Sequence, residues 1–132
     1  MKNLAKTLLI CILVGAGTAG HSQDNPGNPD RLLRHVVLFS FKEGTPEAKI
    51  AEIEQAFAAL PSKIPQILHF EWGLNNSPEG LNKGFTHCFT LTFASEEDRA
   101  VYLPHPDHKA FGQVLGPHLA DVLVVDYWAS PQ

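Results

Sequence analysis

Apolar and polar side chains alternate most regularly over residues 85–93 of this chain. Alternation with a period of two places one set of side chains on each face of a β-strand, so this segment predicts a strand with one apolar face. A β-branched and aromatic run over residues 35–41 predicts another strand, apolar on both faces. Two further runs, 67–74 and 122–128, bring the number of predicted strands to four.

Helical spacing of apolar residues appears between these strands. Thr45 and Pro46 provide a polar cap and a proline at the first helical position, and Pro61 ends this first helix. A capping-box pattern at Ser95 opens a second helix that runs through Leu103, where Pro104 breaks it. Helical structure restarts and continues from His105 to about Leu115. The apolar positions of the first helix are Ile50, Ile53, Phe57 and Leu60.

The predicted elements follow the order strand, helix, strand, strand, helix, strand over residues 33–129. This order predicts an α+β, ferredoxin-like βαββαβ fold, in which a four-stranded antiparallel sheet carries its helices on one face. No predicted element remains to cover the other face of the sheet. Because two such faces can pack against each other, we expect a homodimer formed through the open sheet face.

The first 22 residues have the composition of a secretory signal. Lys2 and Lys6 precede an apolar run over residues 8–14, and small residues follow. That run is shorter than the roughly 20 apolar residues that span a bilayer, so we expect no stable membrane insertion. We expect residues 1–22 to be removed on export to the periplasm or medium, and residues 23–32 to form a flexible leader. A membrane-tethered N-terminal helix is the alternative.

Charge and cysteine content narrow the possible partners. Without the signal segment, basic residues fall from 10 to 8 against 14 acidic residues, a formal charge of −6. An acidic domain without a basic run argues against a nucleic-acid partner. Cys11 leaves with the signal segment, so Cys88 has no partner for an intramolecular disulfide. A small core without disulfides favours oligomerisation.

Histidines are the most informative polar residues. His35 and His87 lie on the side of their strands that is otherwise apolar. An imidazole buried there needs a hydrogen-bond partner. They are either satisfied core histidines or, if they are adjacent on one sheet face, the polar spot of an apolar cavity. His105 and His108 have H-x-x-H spacing, but no cysteine or carboxylate on that element completes a zinc site. We therefore expect no metal and no cofactor.

Acid/base chemistry by histidine and tyrosine is what the remaining residues allow. The chain has neither a phosphate-binding glycine loop nor a G-x-S-x-G nucleophile motif. Cys88 lies on the opposite strand parity from His87, which argues against a Cys–His nucleophile pair. Histidine titrates near neutral pH and tyrosine can donate a hydrogen bond, so the two together can move protons without a cofactor.

Several segments together resemble the stress-responsive A/B barrel (Dabb) family. These are the strand from His35 to Lys42, the segment from Gly84 to His87, the segment from Tyr102 to His108 with Phe111-Gly112 after it, and the closing strand from Asp121 to Tyr127. The resemblance covers residues 33–129. It implies a dimeric α+β barrel, that is, a homodimer of ferredoxin-like subunits around a barrel core.

The resemblance also implies roles for four residues. One plant member of the family is a polyketide cyclase that works by aldol condensation without a metal. By that scheme His108 is the base, Tyr102 assists it, and His35 and His87 shape or polarise the site.

Two main hypotheses follow from these observations. The first is an exported module of unassigned activity that binds a small apolar or aromatic molecule in a histidine-containing pocket. The second is a cofactor-independent cyclase or isomerase with His108 as base and with Tyr102 and His35 as acid or orienting groups. A haem- or oxygen-using monooxygenase is a third possibility, but Trp72 and Trp128 are expected to be core or interface aromatics.

Overall fold

The computed structural model of the chain describes residues 31–130. The predicted signal segment, and all but the last two residues of the predicted leader, lie outside the described residues. The strands are β1 (Leu33–Phe41), β2 (His69–Leu74), β3 (His87–Phe93) and β4 (Leu119–Trp128). The helices are α1 (Glu47–Ala58), α2 (Glu96–Tyr102) and α3 (Pro106–Leu115), with short 3-10 segments at Leu60–Ser62 and Gly116–His118.

All four strands pair in the order β2-β3-β1-β4, and every pairing is antiparallel. This order places the first and third strands in the centre, as in a ferredoxin-like fold, and confirms the predicted fold class. In the register of the sheet, Val37 of β1 faces Phe89 of β3 on one side and Val124 of β4 on the other. Both edges of the sheet, β2 and β4, remain unpaired within the described chain.

The core lies between one face of the sheet and the helices. Buried and partly exposed residues alternate along β1 from Leu33 to Phe39, because every second side chain points toward the helices. Phe57 of α1 lies against Phe89 and Phe111, with ring centroids 4.6 and 4.4 Å apart. Aromatic packing of this kind adds about 0.5–1.5 kcal/mol per pair beyond area burial. It joins α1 and α3 to the centre of the sheet.

The starts of the helices show how local sequence sets the chain path. Ser95 accepts a hydrogen bond from the backbone N–H of Asp98 at 3.1 Å, as the capping pattern predicts. The predicted Thr45 cap is not formed. The Thr45 hydroxyl donates instead to the Lys42 carbonyl at 2.7 Å and closes a turn, so α1 begins at Glu47, after Pro46.

The opposite face of the sheet has no covering element among residues 31–130. On this open face the side chains of β4 are apolar and nearly half exposed: Leu123 44 %, Val125 47 % and Tyr127 49 %. The apolar residues on both faces of β1 predict burial on both sides of this strand. Val36 and Leu38 are only partly buried, however, because nothing in the described chain packs on their side. None of the helices in this region is long and apolar enough to cross a membrane.

Candidate functional site

Three of the four candidate residues meet on the helix-covered face of the sheet. His35 lies on β1, Tyr102 on the last turn of α2 and His108 on the first turn of α3. Ring centroids are 5.8 Å apart for His35 and Tyr102, and 4.2 Å apart for Tyr102 and His108. Tyr102 is 0 % exposed and His35 5 % exposed, whereas His108 is partly exposed, so the cluster reaches the surface at His108.

The turn between α2 and α3 positions His108. His105 accepts a hydrogen bond from the Asp107 backbone N–H at 3.2 Å, and Pro106 occupies the first helical position of α3. His105 is therefore the N-cap of α3. His108 Nδ1 lies 2.9 Å from the Leu103 carbonyl oxygen, which can only accept. Nδ1 of His108 is therefore the donor in this bond, and in the neutral ring Nε2 carries the lone pair that can accept a proton.

His35 is held by a carboxylate on the neighbouring strand. Its Nδ1 lies 2.7 Å from Oδ1 of Asp126, the residue paired with it across β1 and β4. Burial lowers the pKa of His35, although the bond and the charge of Asp126 act in the opposite direction. His35 is thus neutral at pH 7, donates from Nδ1, and keeps a lone pair on Nε2.

The Tyr102 hydroxyl is a fully buried polar group to which none of the described residues is hydrogen-bonded. It is buried, and burial raises the pKa of the phenol, so the proton stays on oxygen at neutral pH. A buried donor left unsatisfied costs about 1–3 kcal/mol. An acceptor oxygen of a bound molecule would satisfy this hydroxyl.

His87 lies elsewhere. It shares the helix-covered face with His35, but in the register it pairs with Phe39, four residues along β1, or about 13 Å away. Its Nε2 is 2.9 Å from Oε1 of Glu54, and its Nδ1 is 2.8 Å from the Thr86 hydroxyl. The two histidines are not adjacent, so His87 is separate from the site formed by the other three candidates.

A cavity of about 530 Å³ lies at the His87 end of the sheet, where the loop after β2 folds back. Its volume is in the range of small-molecule sites. The indole of Trp72 is stacked parallel to the His87 ring with centroids 6.1 Å apart. The lining residues include Leu38, Trp72, Phe85, His87 and Cys88.

Sequence reasoning missed Asp126 and Arg99. Asp126 lies on the same strand parity as Val122 and Val124, so a carboxylate interrupts an otherwise apolar phase of β4. His35 was recognised as a candidate because it is a polar residue among apolar ones on its strand. The same pattern could have identified Asp126. Arg99 binds Oδ2 of Asp126 at 2.5 Å, a contact between α2 and β4 for which the sequence has no pattern.

Chemically, the cluster offers two proton-accepting nitrogens beside one hydrogen-bond donor. The Nε2 atoms of His35 and His108 are acceptors, and the Tyr102 hydroxyl is the donor. Such a set can take a proton from carbon while it stabilises the oxygen of an adjacent carbonyl. Among residues 31–130, no group of three or more His, Cys, Asp or Glu side chains is arranged to hold a metal ion.

Comparisons with known proteins agree with this architecture. A family model described as "Stress responsive A/B Barrel Domain" matches residues 33–129. The chain is 41 % identical over 95 residues to the stress-response A/B barrel domain-containing protein HS1 of Arabidopsis thaliana, covering 72 % of this chain and 87 % of HS1. It is 30 % identical over 95 residues to olivetolic acid cyclase of Cannabis sativa, covering 72 % of this chain and 94 % of the cyclase.

Solved structures show the same fold. A crystal structure of At3g17210 from Arabidopsis thaliana matches with a TM-score of 0.72 and 39 % identity, over 76 % of this chain and 97 % of that protein. A protein of unknown function from Bacteroides fragilis, described as dimeric with a ferredoxin-like fold, matches with a TM-score of 0.60 and 29 % identity, over 73 % of this chain and 94 % of its own.

Proposed function

The chain belongs to the stress-responsive A/B barrel (Dabb) domain family, and we propose that it is an acid/base enzyme that removes a proton next to a carbonyl group. The observation that carries this proposal is the Tyr102 hydroxyl, buried without a partner and in ring contact with His108. Buried polar groups are otherwise nearly always satisfied. An unsatisfied donor beside a basic imidazole is the arrangement that a carbonyl substrate would complete.

The proposed reaction uses only side chains of this site. Nε2 of His108 accepts the proton from the carbon next to the carbonyl, and the electron pair of that C–H bond moves toward oxygen. Tyr102 donates a hydrogen bond to this oxygen as its negative charge develops. His35 supplies a second acceptor nitrogen, held by Asp126. The carbon of the resulting enolate then attacks a second carbonyl, and the oxygen of that carbonyl takes the proton from Nε2 of His108 as the ring closes. Alternatively, the proton returns to a different atom or face of the enolate, which isomerises the substrate.

Similarity to olivetolic acid cyclase supports this assignment at the level of reaction type. Its name denotes a ring-closing enzyme, and the 30 % identity extends over 94 % of its length. Ring closure between two carbonyl groups begins with the same proton removal. The substrate itself is not inferred from this similarity, because folds of one family carry different activities.

The test follows proton exchange at carbon. Small aryl methyl ketones and 1,3-diketones are incubated with the protein in D2O, and loss of the α-proton signal is followed by NMR. We expect exchange by the wild type, and at least about a hundredfold slower exchange by His108→Ala, since a general base contributes about 10²–10⁴ in rate. His69→Ala, an exposed histidine on β2, is the matched control. Undiminished exchange by a folded His108→Ala variant would remove the proposal.

A second candidate function is the binding of a small apolar or aromatic molecule. The observation that favours it is the 530 Å³ cavity, which lies with His87 rather than with the three clustered residues. A thermal-shift screen of aromatic and aliphatic compounds tests it, because a ligand that binds only the folded state raises Tm. We expect Trp72→Ala to lose the stabilisation. A screen in which no compound raises Tm speaks against this function.

We also propose that the protein is a homodimer through the open sheet face. The related protein from Bacteroides fragilis is described as dimeric. In the present chain the exposed side chains of Leu123, Val125 and Tyr127 lie on that face, where a second copy would remove them from water.

Export is proposed from residues 1–22, on their basic start and short apolar run. A C-terminally tagged chain expressed in a secreting host tests this. Recovery outside the cytoplasm with a new N-terminus near residue 22 is expected, and recovery of uncleaved cytoplasmic protein would contradict it.

A further inference from the structure

Arg99 binds the carboxylate oxygen of Asp126 that His35 leaves free. Its guanidinium lies 2.5 Å from Oδ2, while Oδ1 is 2.7 Å from Nδ1 of His35. We propose that Arg99 is a positioning residue: it holds the Asp126 carboxylate in the orientation that fixes the tautomer of His35. A role of Arg99 in catalysis rests on the proposed function. Its effect on the tautomer and pKa of His35 does not, because both can be measured without a substrate.

The physical reason is the freedom of a carboxylate to rotate. A carboxylate bound through one oxygen can turn about its Cβ–Cγ bond, and at intermediate angles neither oxygen is aligned with its donor. When both oxygens have partners on different elements, β1 and α2, this rotation breaks two charge-assisted bonds rather than one. Asp126 therefore keeps an oxygen aligned with Nδ1 of His35, and this alignment favours the neutral tautomer with its proton on Nδ1.

The surroundings of Arg99 make Asp126 its principal partner. Glu96, one turn earlier on α2, approaches the guanidinium only to 3.9 Å, and its side chain is 57 % exposed. Water and salt screen such a contact, whereas the Arg99 and Asp126 side chains are only 24 % and 25 % exposed. Glu96 is therefore a suitable control position, because it carries charge next to Arg99 without contacting the Asp126–His35 pair.

Charges on every packed element act on His35. Asp126 on β4 favours the protonated ring, while His108 on α3 and Arg99 on α2 disfavour it, and Tyr102 is uncharged at neutral pH. Removal of the Arg99 charge therefore favours the imidazolium form of His35. Removal of its hydrogen bonds also frees the carboxylate, so that the neutral ring populates a second tautomer with the proton on Nε2. Both changes are visible in the imidazole nitrogens.

The experiment is long-range ¹H–¹⁵N NMR of the histidine rings across a pH titration, with His35 assigned from a His35→Gln variant. In the wild type we expect the Nδ1–H tautomer. In Arg99→Met we expect a higher pKa of His35 and a measurable Nε2–H population. Arg99→Lys, which keeps the charge, should return the pKa toward the wild-type value. Glu96→Gln should change neither property.

Two results would overturn the inference: an unchanged His35 pKa and tautomer in Arg99→Met, or equal changes in Glu96→Gln. If Arg99→Met does not fold, Arg99→Gln carries the same test, because it is also neutral, and an unchanged pKa there overturns the inference as well. The outcome is separate from the proposed function. If a His108→Ala variant keeps its exchange activity, the proposed enzyme function is wrong. The effect of Arg99 on His35 is tested separately, by the NMR titration alone.

Discussion

Nδ1 of His35 lies 2.7 Å from Oδ1 of Asp126, although 91 positions separate the two residues in the chain. The pair forms because β1 and β4 are neighbours in the sheet and their register places the two residues opposite each other. Each is a polar residue on an otherwise apolar side of its strand, and each provides the hydrogen-bond partner that the other needs. One edge of the Tyr102–His108 cluster is thereby kept polar while the core beside it remains apolar.

The Tyr102 hydroxyl leads to a prediction in which stability and activity change in opposite directions. Tyr102→Phe removes a buried donor that has no partner, while the ring keeps its contacts with Phe93 and His108. We expect the free energy of unfolding to rise by about 1 kcal/mol, because the desolvation cost of the hydroxyl disappears. Proton-exchange activity should fall, because the developing oxygen charge loses its donor. Urea unfolding and the D2O exchange assay measure the two effects.

Phe57→Tyr is the control for the general effect of a phenol in this core, since it adds a hydroxyl to another fully buried ring. It should destabilise the fold. A Tyr102→Phe variant that is clearly less stable than the wild type would show that the hydroxyl has a structural partner, and would count against a substrate-binding role.

The lowered pKa of His35 predicts how the free energy of unfolding depends on pH. Burial lowers its pKa in the folded protein below the ordinary value of 6.5, so the unfolded chain binds the proton more readily. As pH falls through 6.5 toward the folded pKa, the unfolded state is therefore favoured and the free energy of unfolding decreases. Above pH 6.5 this contribution is fully present. Urea unfolding at a series of pH values between 4.5 and 8 measures the slope.

His35→Gln separates this effect from that of the other titrating groups. Glutamine can donate to Asp126 but does not titrate, so the slope between pH 6.5 and the folded pKa should become smaller. If the variant keeps the full wild-type slope, His35 is not the group responsible.

Local sequence patterns predict the helices and strands, whereas the pairing of distant strands determines which residues meet in the candidate site. Strand alternation and helix caps depend on neighbours a few residues away, so β3 and α3 were predicted to within two residues. The proximity of Tyr102 and His108 depends on one tight turn and the aromatic contact across it. The distance between His35 and His87 depends on how β1 pairs with β3. The alternation within each strand predicts which face of the sheet a residue lies on, but it does not predict where along the neighbouring strand its partner lies.

His87 is predicted to stabilise the fold without a part in proton exchange. Both ring nitrogens have protein partners, Glu54 and Thr86, and the ring packs on Trp72. His87→Ala leaves Glu54 without this partner and should lower the free energy of unfolding by about 1–3 kcal/mol. The exchange rate per folded molecule should stay at the wild-type value. A loss of exchange comparable to that of His108→Ala would instead place His87 in the proposed enzyme site.

Val125 on the open sheet face tests the proposed homodimer. Its side chain is apolar and 47 % exposed, next to Leu123 and Tyr127 of β4. Val125→Lys would bury an ammonium group between two sheets, which costs several kcal/mol without a partner charge, so sedimentation equilibrium should report a monomer. Val101→Lys is the matched control, because Val101 is 46 % exposed but lies on α2, in the helix layer, and this variant should remain dimeric. If Val125→Lys sediments as a dimer, or if the wild type is a monomer at the same concentration, the two copies do not associate through this face.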